Sequence, residues 1–454
     1  MKDPKLNIIS TINFIIHLSF GLAILLLLLL VAMQKWIPVL IFIVTIVFTV
    51  VFALYRKKPE VLIVIGLLLN FVPHCLKVGY TIIIVTFMLT IIERYVKEHK
   101  KIKLDIVKIA WSAIVLLGLI TIPKWNLIWV GIQYYAALSI IPLMIYILIT
   151  DEYISETGSR WILKTGIPII AGVILLETLM ALISILLSQE ATVGFVNINI
   201  FRTIEIPENG TNRLAGMLMF LSIHLFLTRS KWKGGWAKNI ILTLGMSLTF
   251  IISFLFTSRG ALICLFVAIV AYVVGKYLLE KRVNWLTIVL PLLPVIIILK
   301  PFVERLLYRM QNVKTDWSTL ARLVLWKDCI SHIKNGLIIG TGPAQYIYRS
   351  FSEVLIDPHN MFLRYGLEFG AISIILLLII LSYPIILVLK GFKINRALSM
   401  SIFIMFAPQL LGTITHSQID STITSRSSGL LIWLVWTLFV NKLINLKTQV
   451  KSIQ

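Results

Sequence analysis

The residues of this chain that could do chemistry stand where apolar runs begin or end. His359 lies in Asp357-Pro358-His359-Asn360, where a turn hands over to a long apolar stretch. An imidazole at a helix amino terminus stays neutral near pH 7 and can accept a proton. Its plainer role is a structural hydrogen bond, and the residue alone does not separate the two. Arg259, in Thr257-Ser258-Arg259-Gly260, sits between two apolar runs with almost no loop. A charge at that depth is costly and therefore informative, although an arginine there can also snorkel to headgroups. Arg322 falls in an amphipathic stretch, where a solvated face is the competing reading, and Arg202 and Arg213 flank a loop. Guanidinium groups grip a diphosphate through a fixed fork of donors and need no metal to do so. Several of them with one imidazole would suit group transfer from a lipid diphosphate: the arginines stabilise the leaving charge and the imidazole takes the proton of an acceptor hydroxyl. His416 has the weaker claim, because nothing near it in sequence completes a site. His17, His74, His99, His224 and His332 read as structural or solvated.

Those positions have to be held by membrane helices. The chain has 454 residues, 59% of them apolar and 14% charged, with a mean hydropathy of +0.95. No water-soluble interior hides that much apolar surface, and uncharged runs such as residues 9–33, 36–55 and 369–389 match a bilayer core about 30 Å thick. The net charge of +22 lies in short runs between apolar spans, so it argues for topology and against nucleic acid. Cys75, Cys264 and Cys329 are too far apart for a disulfide framework or a zinc site. The first apolar segment is too long for a signal-peptide core and lacks a small-x-small cleavage site, so it reads as a retained span.

The hydropathy pattern places spans at residues 10–33, 36–55, 59–74, 78–93, 104–123, 127–150, 165–188, 213–229, 238–256, 260–279, 284–301, 361–389, 397–414 and 427–443, with both termini on one side. The stretch from 59 to 93 would form a helix of about 48 Å, too long for one crossing. Pro73 and Lys77 near its middle make it a short hairpin or a re-entrant pair. Lys and Arg accumulate at the termini and alternate loops, which makes that side cytoplasmic. The opposite side still carries nine basic residues between Lys300 and Arg364, together with Arg202, Arg213 and Arg259.

Two external loops are long enough to be functional. Residues 190–212 begin with a β-branched, Asn-rich stretch and continue to Pro207, Asn209 and Gly210. Residues 301–360 hold two amphipathic stretches, 302–310 and 317–334; in the second, Leu320, Val324 and Ile330 are expected on one side and Lys327, Ser331 and Lys334 on another, with Asp316 as cap. The organisation is therefore N-terminal spans (1–189), an external loop (190–212), central spans (213–300), a large external loop (301–360) and C-terminal spans (361–454). A divalent-metal glycosyltransferase needs clustered carboxylates, and the loop between the first two spans, Gln34-Lys35-Trp36, holds none. Glu177 and Glu368 do not make a cation relay, and Gly340-Thr341-Gly342-Pro343 is too short for a phosphate loop.

Taken in order, these segments resemble a known family. His359-Asn360-Met361-Phe362-Leu363 followed by Glu368-Phe369-Gly370 resembles the His-Asn-x-x-Leu…Glu-x-Gly motif of the O-antigen ligase and polymerase superfamily, the Wzy and WaaL proteins. Arg322-Leu323-Val324-Leu325-Trp326 with Ile339-Gly340-Thr341-Gly342 resembles its Arg…Trp helix and Gly-x-Gly loop, and Ser258-Arg259-Gly260 its Ser-Arg-Gly junction. Arg202 with Asn212-Arg213-Leu214-Ala215 resembles its Arg…Asn-x-x-Ala segment, except that Thr211 replaces the expected proline. The resemblance runs from Arg202 to Gly370. It implies an all-α, GT-C-like bundle of about 12–14 transmembrane helices, and an inverting glycosyltransferase that needs neither metal nor other cofactor. The donor would be an undecaprenyl-diphosphate-linked oligosaccharide. Arg259 and Arg322 would bind the diphosphate and His359 would activate the acceptor hydroxyl, while Arg202, Arg213, Asn360 and Glu368 would contact substrate.

Within that family the expectation is a capsule or cell-envelope polysaccharide polymerase working on the outer face of a bacterial cytoplasmic membrane. Its partners would be the acceptor glycan, membrane lipid, a chain-length regulator and a flippase. A ligase transferring to lipid A core or another anchor is the alternative; lysine in excess of arginine and abundant isoleucine point to a low-GC genome and favour the polymerase. From a different class, a lipid-linked oligosaccharide flippase would carry basic residues along a path through the membrane, whereas here they gather at one face.

Overall fold

The computed structural model describes residues 58–71, 75–99, 102–125, 128–187, 211–228, 245, 247–248, 258–281, 311, 317–335, 339–345, 358–420 and 422–446. The spans expected at 10–33, 36–55 and 284–301, most of the one at 238–256, the loop to residue 210, the stretch 302–310 and Asp316 lie outside them, as does Arg202. The chain separates into two compact units, residues 1–59 and 60–454, and the described helices belong to the second, the first of them starting at the junction.

Among the described residues every regular element is helical, and the protein is an all-α polytopic membrane protein. In chain order the helices are α1 (Pro59–Leu69), α2 (Leu76–Glu98), α3 (Ile106–Ile120), α4 (Ile128–Thr150), α5 (Glu156–Trp161), α6 (Ile167–Leu187), α7 (Thr211–Thr228), α8 (Arg259–Glu280), α9 (Trp317–Asn335), α10 (Met361–Phe369), α11 (Ile372–His416) and α12 (Ser428–Ile444). A π-helical turn at Ala136–Ile140 interrupts α4, and another at Ile162–Gly166 joins α5 to α6. Stretches long and apolar enough to cross a membrane are Leu76–Tyr95, Ile128–Thr150, Glu156–Leu176, Arg259–Glu280 and Ile372–His416. Their outward sides carry bare hydrocarbon, for example Met88, Phe266 and Ile375, which only a lipid solvent tolerates in such number.

The expected hairpin at residues 59–93 is present, but its first arm is short. With 11 residues, α1 rises only about 16 Å, half a bilayer core. Its Gly66 faces Gly79 of α2 so closely that a side chain on either would strike the other's backbone carbonyl.

The 45 residues of α11 would measure about 68 Å if straight. Asn395 breaks the run with extended backbone (φ −157°, ψ 101°) and accepts from the Leu398 amide at 2.9 Å. Ser399 Oγ then donates to the Val388 carbonyl at 3.1 Å, a contact that eleven residues of straight helix would forbid. The element is thus two spans folded back on one another, divided where Lys390, Lys393 and Arg396 cluster, as the separate runs 361–389 and 397–414 anticipate. Its neighbours are α8, α12, α7, α3 and α10. α12 is buried almost all round, with Trp433 edge-on to Trp111 at 5.0 Å.

The single run expected from 361 to 389 is broken near its start. Gly370 adopts φ +92°, a conformation glycine takes at no steric cost. The chain therefore turns between α10 and α11, and α10 becomes a separate nine-residue helix.

One charge inside a span is neutralised within the bundle. Lys108 of α3 contacts Asp151 at 2.6 Å and Asp105 at 3.2 Å, and both Lys108 and Asp151 are buried. Asp105 also caps α3, accepting from the amides of Val107 and Lys108.

Candidate active site

Two of the junctions singled out in the sequence are helix amino termini. Ser258 caps α8 by accepting from the Ala261 amide at 3.3 Å, which makes Arg259 the first helical residue. Asn360 caps α10, its Oδ1 accepting from Phe362 at 3.0 Å and Leu363 at 3.1 Å. Side-chain oxygens at these positions satisfy amides that a helix start leaves without partners.

His359 precedes that cap with φ +53°. This left-handed conformation is sparsely used by residues with a side chain, and here neighbouring contacts impose it. Asn360 Nδ2 donates to the Gln418 carbonyl at 3.1 Å and the Met361 amide to Ser417 at 2.9 Å, so the turn is stitched to the segment between α11 and α12. The result places His359 Nδ1 3.3 Å from Asp420 Oδ1. The carboxylate is only 4% exposed and the imidazole 30%. A buried carboxylate on one ring nitrogen fixes the ring's orientation.

The arginines reach the same place through α9. Arg259 donates to Thr319 Oγ1 at 3.2 Å, and Arg322 lies one turn further along. Trp326, one turn beyond that, donates from Nε1 to the Pro358 carbonyl at 2.7 Å, immediately before His359. One face of α9 therefore links the head of α8 to the head of α10. The buried residues of that face, Leu325 and Cys329, pack on Leu367 of α10 with Ile333 and Leu363. This corrects the expected disposition of α9: Leu320, Val324 and Ile330 share the exposed side with Lys327, Ser331 and Lys334, because α10 covers the side at 325, 329 and 333.

Beneath this cluster lies His416. The ring is fully buried, its Nδ1 is 2.8 Å from Thr422 Oγ1, and its Nε2 has no hydrogen-bond partner among the described residues. It fills the space where side chains on Gly216 of α7 and Gly260 of α8 would stand: a Cβ added there would come within 2.5 and 2.8 Å of the ring. Asp420 and Arg322 are both close enough for their charges to act on it. The Asp420 amide also donates to the His416 carbonyl at 2.9 Å.

The structure thus gathers His359, Arg259 and Arg322, and adds Asp420 and His416. Asn360 stands among them with its polar atoms committed to the cap and to Gln418. Glu368 is elsewhere, about 12 Å along α10 from Asn360 at helical rise, and is buried against Arg364 at 3.0 Å. Arg364 also stacks on the Tyr134 ring, 4.6 Å from its centroid. Arg213 falls in the first turn of α7; its side chain, like the whole of Arg202, lies outside the described residues.

Sequence reasoning passed over Asp420 and gave His416 only a weaker claim, for want of a neighbour to complete a site, although an acid four residues after a histidine at the end of an apolar span was a signal. The Gly340 loop has a structural task. Thr341 and Gly342 donate to the carbonyls of Leu367 and Glu368 at 2.8 and 3.0 Å, closing the end of α10. A cleft of about 330 Å³ opens there, lined by Lys124, His332, Thr341, Gln345 and Leu367, at the opposite end of α10 from His359.

A family model described as O-Antigen ligase matches residues 244–378, consistent with the O-antigen ligase and polymerase superfamily. The matched segment carries Arg259, Arg322, His359 and Glu368, and stops before His416 and Asp420. No curated protein matches the chain.

Proposed function

We propose, from the match over residues 244–378 and the geometry around His359, that this membrane protein is a glycosyltransferase that polymerises lipid-diphosphate-linked glycan. The observation that carries the reading is the His359–Asp420 pair at the head of α10, tied by Trp326 and Thr319 to the helix bearing Arg322 and to Arg259.

In the proposed reaction Asp420 holds the Nδ1 side of the imidazole and Nε2 takes the proton from an acceptor-sugar hydroxyl. The freed oxygen attacks the anomeric carbon of the donor from the face opposite the diphosphate. The bond from that carbon to the diphosphate oxygen breaks, its electron pair leaves with the lipid diphosphate, and the configuration inverts. Arg259 and Arg322 neutralise the charge that develops on the leaving group, where preorganised donors act most strongly. Arg202 and Arg213 would line the donor cavity and Glu368, with Arg364, would brace α10. The donor class is undecaprenyl-diphosphate-linked glycan, delivered on the outer face of the bacterial cytoplasmic membrane.

The family match over residues 244–378 favours a second reading, a ligase that moves the finished glycan to a different acceptor. Purified protein in detergent, given lipid-linked repeat units alone, separates the two: a polymerase extends them, while a ligase is silent until its own acceptor is added. Growth that persists in Arg259→Ala, Arg322→Ala and His359→Ala alike would end the mechanism, and inhibition by EDTA would end its metal independence.

A further inference from the structure

α9 is read above through the face it turns to α10, but its other face is equally ordered. At about 100° per residue, positions 320, 323, 324, 327, 330, 331 and 334 form one stripe on the side opposite Leu325 and Cys329. Leu320, Leu323, Val324 and Ile330 are exposed by 42%, 53%, 56% and 43%, and Lys327 and Lys334 share their side, both exposed. With Arg322, Lys327, Asp328 and Lys334 in its 19 residues, the helix is not among those apolar enough to cross a membrane.

We infer that this stripe is a lipid-contacting face, on which α9 lies in the plane of the bilayer with its leucines, valine and isoleucine among the acyl chains and Lys327 and Lys334 on anionic phospholipid headgroups. Two observations choose this occupant. The chain is anchored in a membrane by the spanning stretches that flank α9, Arg259–Glu280 and Ile372–His416, so a bilayer surface is within reach. The stripe also combines hydrocarbon with two long cationic side chains set among it, which can lie along the helix and lift their ammonium groups to the phosphates. Burying the stripe fixes the depth of the opposite face, and so holds Arg322 at headgroup level. This contact holds whether or not the protein transfers glycan.

The test is a nitroxide on Val324→Cys in the full chain, reconstituted in vesicles of phosphatidylethanolamine and phosphatidylglycerol. Cys75, Cys264 and Cys329 are buried, so the introduced thiol is the reactive one. The label should relax more with oxygen, which dissolves in lipid, than with a water-soluble nickel chelate. Cysteines at Leu320, Leu323, Lys327 and Ile330 should follow the helical period, with position 327, central in the stripe, as deep as position 320. Exchanging phosphatidylglycerol for phosphatidylcholine should shift the label toward nickel, and Lys327→Gln with Lys334→Gln should abolish that dependence. Greater nickel access along the whole stripe would put it in water and overturn the inference. Shielding from both reagents would put a protein partner or a second copy there, which overturns it equally, and indifference to phosphatidylglycerol would remove the headgroup contact.

Discussion

If Asp420 works by orienting His359, then Asp420→Asn should damage catalysis through the imidazole and not independently of it. The carboxylate is 4% exposed and its Oδ1 lies 3.3 Å from His359 Nδ1, at the long end of hydrogen-bond geometry. A hydrogen bond to a charged group contributes about 1.5–3 kcal/mol, and the long contact puts this one near the lower figure. At about 1.4 kcal/mol per factor of ten, Asp420→Asn should lower kcat about tenfold. Removing the base with His359→Ala should cost about 10²–10⁴-fold, the usual worth of positioned proton transfer. The double variant should be no slower than His359→Ala, because with no imidazole left the carboxylate has nothing to orient. Single-turnover transfer from purified lipid-linked glycan in detergent measures all three. Costs that simply multiply in the double variant would mean the two residues act separately, and the orienting role would be lost.

Arg322→Lys keeps the charge but not the fork, so kcat/KM for the lipid-linked donor should fall about 10- to 100-fold, the range of one lost charge-assisted contact; steady-state kinetics at saturating acceptor reads it. Gly260→Ala and Gly216→Ala force a methyl against the His416 ring and should each destabilise the protein by about 1–3 kcal/mol, a loss that thermal melts should find relieved in a His416→Ala background. Asp151→Ala leaves Lys108 with only Asp105 and the Lys103 carbonyl and should cost less than the about 3–5 kcal/mol of a fully stranded charge, whereas Lys108→Met with Asp151→Leu should restore most of the loss in the same melts.

Several features were open to sequence reasoning because they depend on chemistry local to the chain. The spans around 128–150, 259–280 and 428–444 follow from runs of apolar residues that must leave water. The bend at residue 395 follows from three basic residues between runs each long enough to cross. The helix starts near residues 260 and 361 follow from the onset of apolar runs, but the caps at Ser258 and Asn360 were not anticipated, and Asn360 was expected to contact substrate. Gly370 hid the separate helix α10, since hydropathy carries no sign of a positive φ. The sidedness of α9 was misread because its apolar stripe faces away from the bundle: with both hydrocarbon and arginine available, only the packing of α10 on Leu325 and Cys329 decides which side is inside.

By itself, then, the sequence determined the solvent. So much hydrocarbon punctuated by short basic runs admits a helical membrane protein and little else, and it marks Arg259, Arg322 and His359 as charges or titratable groups placed where they are expensive. Only the tertiary structure decided that α9 carries Arg322, and through Thr319 draws Arg259, to the head of α10, that Asp420 is the partner of His359 across sixty-one residues, and that two glycines are needed to house His416. Hydropathy is a property of each segment alone, whereas a site is made of distances between segments, and those are fixed by which helix faces pack together.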